Sequence, residues 1–383
     1  MKIALVHMRH AATGGTERYL NHLATYLADL GHEVTIVCRR HEKHPHPACR
    51  FELLHNVALG RTHRRWAFAK AVERHVIGAR YDMVFGLGKT WTHDVIRMGG
   101  GCYQTWIDLV QQASPWSIRQ AIGARLAESR LILAIEARAL AAQAYGRVIT
   151  NSEMVKRDVM ERYNIPADKI TVIHNGVDLT RFHPRHRNGS GVTLRRACGF
   201  HADHTVLLFL GTGYRRKGLD RLLKVFPALL RQRPETRLLV VGYDSRLARW
   251  KSQAKRLGLA PYACFLGGRR DPEICYGAAD LYVLPTRYDP FANSTLEALA
   301  SGMPVITTAT NGGCEVIEHD VHGAVIEATE DHEALFWALL QWTDRARLTQ
   351  SAQAVRDQAV RHDVRQELEA SAAVLMQVAN KKS

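Results

Sequence analysis

Three consecutive cations, Arg215-Arg216-Lys217, sit inside the run Gly211-Thr-Gly-Tyr-Arg-Arg-Lys-Gly218, directly after the apolar stretch Thr205–Leu210. A glycine turn lets backbone amides approach a ligand closely. Arginine can grip an anion through two parallel N–H donors. Beyond the carboxyl end of a parallel strand, such a turn suits a diphosphate. The Walker spacing Gly-x-x-x-x-Gly-Lys-Ser/Thr is not met. A solvated basic turn is the plain alternative.

Further on, Asp289-Pro-Phe-Ala-Asn293-Ser294-Thr-Leu-Glu297 carries two carboxylates, followed by Ala298-Leu-Ala-Ser-Gly302-Met-Pro304. One acid in a loop and one in the next helical turn can converge on a pocket, where carboxylates accept hydrogen bonds from vicinal sugar hydroxyls. Each also has a structural reading. Ser294-x-x-Glu297 is a capping box, and Asp289 before Pro290 suits a turn. A third glycine site, Thr13-Gly14-Gly15-Thr16, follows the strand-like run Lys2–His7. Amides there favour anionic or polar groups at a helix N-terminus. It is not Gly-x-Gly-x-x-Gly, so the dinucleotide fingerprint is absent. A tight strand-to-helix turn is the plain alternative.

The elements that must position these residues alternate between short apolar strands and helices, which implies parallel α/β architecture. Strands are expected at Ile3–His7, Glu33–Cys38, Phe51–Leu54, Asp82–Gly86, Arg147–Thr150 and Ile170–His174, with helices at Thr16–Leu30 and Ile118–Tyr145. A second series runs Thr205–Leu210, Arg237–Val241, Ala263–Leu266, Leu281–Leu284, Val305–Thr307 and Ala324–Ile326. Helices at about 331–343, 346–361 and 364–379 close the chain. Asp178–Phe200, with Pro184, Asn188-Gly-Ser-Gly191 and many basic residues, reads as the domain boundary. The expected domains are 1–178 and 179–363, with the helix 364–383 packing back on the first.

The length of 383 residues suits two such domains. No apolar stretch reaches the roughly 18 to 20 residues of a membrane span, and no secretory signal is seen. Seven scattered cysteines with no Cys-x-x-Cys pair argue against a disulfide framework or structural zinc. The chain reads as cytoplasmic. A formal charge of +15 calls for anionic partners: nucleic acid, a membrane surface or anionic substrates.

Together these motifs resemble the retaining GT-B glycosyltransferases of family four over nearly the full length. The resemblance rests on Gly14-Gly15, Asn175-Gly-Val-Asp178, Arg216-Lys217-Gly218 and Asp289 through Val305. The family's first acid is usually Glu; here it is Asp289, one methylene shorter. The resemblance implies two doubly wound Rossmann-like domains facing a central cleft. It implies catalytic roles for Arg216, Lys217 and Asp289. Donor contacts would come from Gly15, Arg216, Lys217, Arg269, Asp289, Asn293, Ser294 and Glu297. Arg216 and Lys217 would neutralise the donor diphosphate, Glu297 would hold the ribose, Asp289 would contact the donor sugar, and Arg269 would lie near the base. No metal or other cofactor is implied, because cationic side chains take that role.

Within the family, the lipopolysaccharide core glucosyltransferases are the nearest resemblance, through Arg97-Met-Gly-Gly-Gly-Cys-Tyr-Gln-Thr-Trp106. This places Gly14, Arg97, Gly100, Gly101 and Tyr103 on the acceptor side. Relatives carry His or Asp in this stretch, where Gly100, Cys102 and Tyr103 stand here. The implied partners are a nucleotide-sugar, with UDP-glucose first and GDP-mannose or ADP-heptose as alternatives, and a glycolipid acceptor, a heptose of the lipopolysaccharide core. Segment 106–134 mixes Trp106, Trp116, Ile118 and Ile122 with Arg119, Arg125 and Arg130, and Arg61–Arg65 flanks Trp66. Both suit the cytoplasmic face of an anionic inner membrane, or equally a helix packed on its own domain. A nucleic-acid-binding protein is the rival reading, motivated only by charge.

Overall fold

The computed structural model describes residues 1–11, 14–42, 45–55, 60–112, 126–141 and 145–382. The chain divides into two compact units, Met1–His174 with Arg365–Ser383, and Asn175–Val364. Each is built on one parallel sheet.

In the first unit, the strands are β1 (Lys2–Val6), β2 (Glu33–Cys38), β3 (Arg50–Leu53), β4 (Met83–Gly86), β5 (Val95–Arg97), β6 (Arg147–Thr150) and β7 (Ile170–Val172). They lie in the order β3-β2-β1-β4-β5-β6-β7. Helices α1 (Gly15–Asp29), α2 (Gly60–Ala79), α3 (Tyr103–Gln112), α4 (Leu126–Ala139) and α5 (Glu153–Tyr163) connect them. Strands covered on both faces read as unbroken apolar runs. Ile3 through Val6 and all of β4 are buried accordingly. Helix α1 buries Tyr19, Leu20, Leu23, Ala24 and Leu27, one stripe at helical spacing.

The second unit holds α6 (Ser190–Ala197), β8 (Thr205–Leu210), α7 (Leu219–Gln232), β9 (Thr236–Val241), α8 (Leu247–Arg256), β10 (Ala263–Gly267) and α9 (Pro272–Gly277). It continues with β11 (Leu281–Leu284), α10 (Asn293–Ala300), β12 (Val305–Thr308), β13 (Gly323–Ile326), α11 (His332–Trp342) and α12 (Arg345–Val360). Its sheet runs β10-β9-β8-β11-β12-β13. In both sheets the order reverses beside the first strand, between β1 and β4 and between β8 and β11. The carboxyl edge at such a reversal is where open α/β sheets bind ligands.

The last helix, α13 (Val364–Asn380), belongs with the first unit from Arg365 onward. Tyr19 there donates its hydroxyl to Ser371 Oγ at 2.8 Å, and Lys382 Nζ reaches Asp94 at 2.7 Å.

Two sequence readings need correction. The boundary does not fall within Asp178–Phe200, which belongs wholly to the second unit. Phe182, Leu194 and Phe200 enter the core of the second unit. Gly191 lies against the backbone of Gly277, where any Cβ would collide. The units divide at His174/Asn175, because the Val177 backbone pairs with His362 and Val364. Strand β5 also went unread: three residues ahead of a glycine run show no periodicity. Of the helix expected at Ile118–Tyr145, α4 covers Leu126–Ala139, and 118–125 lies outside the described residues.

Candidate functional site

Strands β8 and β11 pair directly, so the loops leaving their carboxyl ends are neighbours. The loop after β8 is pinned by Tyr214. Its N–H donates to Asp244 Oδ2 at 2.8 Å, and its buried hydroxyl donates to the Gly242 carbonyl at 2.8 Å. At Gly218, φ is 84° and a Cβ would strike the Pro285 carbonyl. Only glycine lets the two loops approach this closely.

The result is a three-residue charge cluster. Lys217 Nζ lies 2.6 Å and Arg216 Nη1 lies 2.7 Å from the same oxygen, Asp289 Oδ2. Arg216 also donates to the Tyr288 carbonyl at 2.9 Å. Lys217 and Asp289 are 7% and 8% exposed, whereas the Arg216 side chain is 35% exposed. Burial pushes the Asp289 carboxyl upward, but Lys217 and Arg216 outweigh it and hold it below the usual carboxylate range. Lys217 is buried, with Asp289 and, more weakly, Glu297 as anions and Arg216 as a like-charged neighbour. Desolvation dominates, and its ammonium falls below the ordinary lysine range. The cluster keeps a net positive charge, with Arg216 as its solvent-facing member. Such a group can hold an anion and stabilise negative charge that develops beside it.

Asp289 is held from behind. Its N–H donates to the Thr310 carbonyl at 3.0 Å, and its carbonyl accepts from Gly312 N at 2.9 Å. Asn311, fully buried, takes the Ala292 N–H on Oδ1 at 3.0 Å and donates from Nδ2 to Thr295 and Thr307. Nothing in the local sequence marks Asn311 as this brace. Two of its partners, Ala292 and Thr295, stand 19 and 16 positions away.

Glu297 is buried in α10, and the capping-box reading fails there. The helix N-cap is Ala292, with no side-chain cap. Ser294 Oγ instead accepts from the Tyr282 hydroxyl at 2.7 Å, and Glu297 Oε2 accepts from the Tyr276 hydroxyl at 2.8 Å. Asn293 Oδ1 accepts from Asn175 Nδ2. Both tyrosines are fully buried and come from other elements, so the sequence reading missed them. Tyr276→Phe is expected to destabilise the second unit by about 1–2 kcal/mol, since a buried carboxylate loses a donor. Urea unfolding of the two chains reads this directly.

Arg269 is not part of the cluster. Its guanidinium forms a fork on Asp271, at 2.9 and 2.6 Å. It follows β10, with β9 and β8 lying between that strand and β11 in the sheet.

On the first unit, Gly14 has φ of 120°, and a Cβ there would meet the Glu17 carboxylate. Gly15 opens α1. Gly100 and Gly101 line a cavity at the carboxyl edge of the sheet, together with residues following β1, β2 and β4. Arg97, expected on the acceptor side, is bonded to Glu367 at 2.9 Å and lies 3.8 Å over the Tyr19 ring. Its burial makes it a structural ion pair as well as a cavity-wall residue. Tyr103 donates its N–H to Glu136 Oε1 at 3.0 Å and stacks on Trp106. It does not line the cavity. Of the basic tryptophan segment, Trp116, Ile118, Arg119, Ile122 and Arg125 lie outside the described residues. Trp66 on α2 is 43% exposed. No helix among the described residues is long and apolar enough to cross a membrane.

Comparison with known proteins matches residues 13–181 to the model described as Glycosyltransferase Family 4, and residues 193–359 to Glycosyl transferases group 1. The chain is 29% identical to the D-inositol 3-phosphate glycosyltransferase of Thermobispora bispora, over 95% of this chain and 89% of that protein. It is 25% identical to the lipopolysaccharide glucosyltransferase WaaG of Escherichia coli, over 92% of this chain and 90% of that one. Other curated relatives, including an uncharacterized glycosyltransferase of Methanocaldococcus jannaschii, align over less than half of their length. The crystal structure of WaaG, a glycosyltransferase involved in lipopolysaccharide biosynthesis, superposes with a TM-score of 0.82 at 23% identity, covering 97% of this chain and 99% of that one. Anabaena HepE in complex with UDP-glucose superposes at 0.71 and 19% identity, covering 98% and 100%. Both units therefore have the parallel Rossmann-like sheets of the GT-B fold, and the chain is a GT-B glycosyltransferase of the group 1, family 4 type.

Proposed function

We propose that the chain moves a hexose from a nucleoside diphosphate donor to a glycolipid acceptor, with retention at the anomeric carbon. The observation that carries this is the Arg216–Lys217–Asp289 cluster at the sheet reversal of the second unit. Arg216 and Lys217 face the donor diphosphate. As the sugar–phosphate C–O bond breaks, they stabilise the departing charge. The acceptor hydroxyl attacks on the same face, and its proton passes to the leaving phosphate oxygen. Diphosphate binding at Arg216 loosens its hold on Asp289 and turns that carboxylate toward the sugar. Glu297 reaches the ribose, and Arg269 belongs to the base end of the donor. No metal is required, because the two cations supply the positive charge.

UDP-glucose is the proposed donor, supported by the complex of the HepE relative. The proposed acceptor is a heptose of the lipopolysaccharide core, supported by the similarity to WaaG. Such an acceptor places the protein peripherally on the cytoplasmic face of the inner membrane, and the exposed Trp66 supports contact with it. GDP-mannose and ADP-heptose remain the competing donors. A thermal-shift panel of UDP-, GDP- and ADP-sugars tests this choice. A ligand that binds only the folded chain raises its midpoint. A shift with UDP-glucose and none with GDP-mannose or ADP-heptose is expected; the reverse pattern would replace the donor.

A further inference from the structure

The second unit holds two thiols in contact. Cys198 caps the carboxyl end of α6, and Cys264 stands in β10. Their sulfurs lie 2.9 Å apart, within hydrogen-bond reach. The two residues are 66 positions apart in the chain, so no local spacing announces the pair. Both are partly open to solvent, whereas Cys38, Cys49, Cys102 and Cys275 are buried. Burial pushes those four thiols up and keeps them unreactive. Within the pair, either sulfur can donate to the other. With Cys264 deprotonated, the Cys198 S–H is the donor. That hydrogen bond, together with the charge of Lys251 on α8, holds the Cys264 thiol below its ordinary range against the effect of burial. Cys198 moves the opposite way, raised by the same hydrogen bond and by burial. A favoured thiolate beside a protonated thiol is the arrangement of an attacking and a resolving cysteine.

A covalent S–S bond of about 2.05 Å needs the sulfurs about 0.9 Å closer. Strand β10 has the latitude to supply this. It is the edge of its sheet, paired with β9 alone, and its register shifts between Phe265 and Gly267. Cys198 is the fixed side, its N–H donating to the Leu194 carbonyl at 3.0 Å. We infer that Cys198 and Cys264 form a reversible disulfide when the chain meets a peroxide. The Cys264 thiolate attacks one oxygen of hydrogen peroxide. The O–O bond breaks, Cys264 becomes a sulfenic acid, and the released hydroxide takes up a proton to become water. The Cys198 sulfur then attacks the sulfenic sulfur. An S–S bond forms, the S–O bond breaks, and the Cys198 proton leaves with that oxygen as a second water. The two sulfurs together lose two electrons, and the peroxide gains them. The closed loop encloses β8, α7, β9 and α8, and with them Arg216 and Lys217. Oxidation thus ties the sheet edge to α6 and constrains the unfolded chain.

The test exposes the reduced full chain to equimolar hydrogen peroxide and maps its tryptic peptides, unreduced, by mass spectrometry. Cleavage after Arg196, Arg215, Arg256, Arg269 and Arg270 puts Cys198, Cys264 and Cys275 in three different peptides. A single crosslink between the Cys198 and Cys264 peptides, removed by dithiothreitol, is expected. Urea unfolding of the oxidised chain should show the folding equilibrium shifted toward the folded state by roughly thirty- to a thousandfold, and dithiothreitol should reverse it. Cys198→Ser should stop at the sulfenic acid of Cys264, read as a dimedone adduct on that peptide. Cys264→Ser should consume peroxide at least about tenfold more slowly, because the favoured thiolate is gone. Crosslinking of any other cysteine pair, crosslinks only between chains, or recovery of both thiols free would overturn the proposal. Those outcomes are read on the unsubstituted chain, so they do not depend on how the variants fold. Peroxide consumption by Cys264→Ser at the parent rate would also overturn it, since Cys264 would then not be the attacking thiol.

Discussion

Lys217→Ala is expected to lower kcat/KM for sugar transfer by about 10²–10³-fold, the scale seen when one preorganised stabilising group is removed. The ammonium is buried and shares Asp289 Oδ2 with Arg216. Without it, Arg216 and Asp289 form a neutral pair, and the net positive charge opposite the diphosphate is gone. Lys217→Arg should not restore the rate, because a planar fork is not a compact point charge. The pH profile adds a check. Burial lowers the Lys217 pKa, and the charged form is the active one. The rate should therefore fall as pH rises through that lowered value, at a pH below the ordinary lysine range. Near-normal turnover in Lys217→Ala would remove this cluster from the mechanism.

The largest stability effect is expected at Glu367→Ala, at about 3–5 kcal/mol, because removing one member of a buried ion pair strands the other. Arg97 then loses that carboxylate inside the first unit and keeps its place above the Tyr19 ring. Urea unfolding should show the loss as a lower midpoint with little change in slope. Glu367→Gln, which keeps an acceptor oxygen, should lose less. A drop below about 1 kcal/mol for Glu367→Ala would mean that water reaches Arg97 and that the pair is not truly buried.

These two sites differ in how far sequence reading reached. Arg216, Lys217, Asp289 and Glu297 stand in short runs whose chemistry is local: a glycine turn bearing cations, and a loop acid followed by a helical acid. Such runs can be read without knowing the fold. Their supports cannot. Tyr276 meets Glu297 across 21 positions and Asn311 braces the loop of Asp289 from another strand end. Buried hydrogen bonds of this kind are chosen by packing, which leaves no period in the sequence. The ion pair of Arg97 was hidden for the same reason: a basic residue ahead of glycines reads as a ligand contact alone, and its partner Glu367 stands 270 positions away. The alternation of strands and helices was legible because both faces of each sheet are covered. The limits of the second unit were less so, since Asp178–Phe200 has a loop's composition but a core's contacts.

The return of α13 to the first unit has a consequence for how the protein is made. The second unit is one uninterrupted stretch, whereas the first is stitched from both ends of the chain. On the ribosome, β1 through β7 emerge early, yet Glu367 and Ser371 are added only after the whole second unit. At about 5–20 residues per second, the first unit waits roughly ten to forty seconds for them. Through that interval Arg97 has no Glu367 and the Tyr19 hydroxyl has no Ser371. The part synthesised first is therefore the part completed last. A frameshift in the codons of α13 should harm the oldest portion of the nascent chain and spare the second unit.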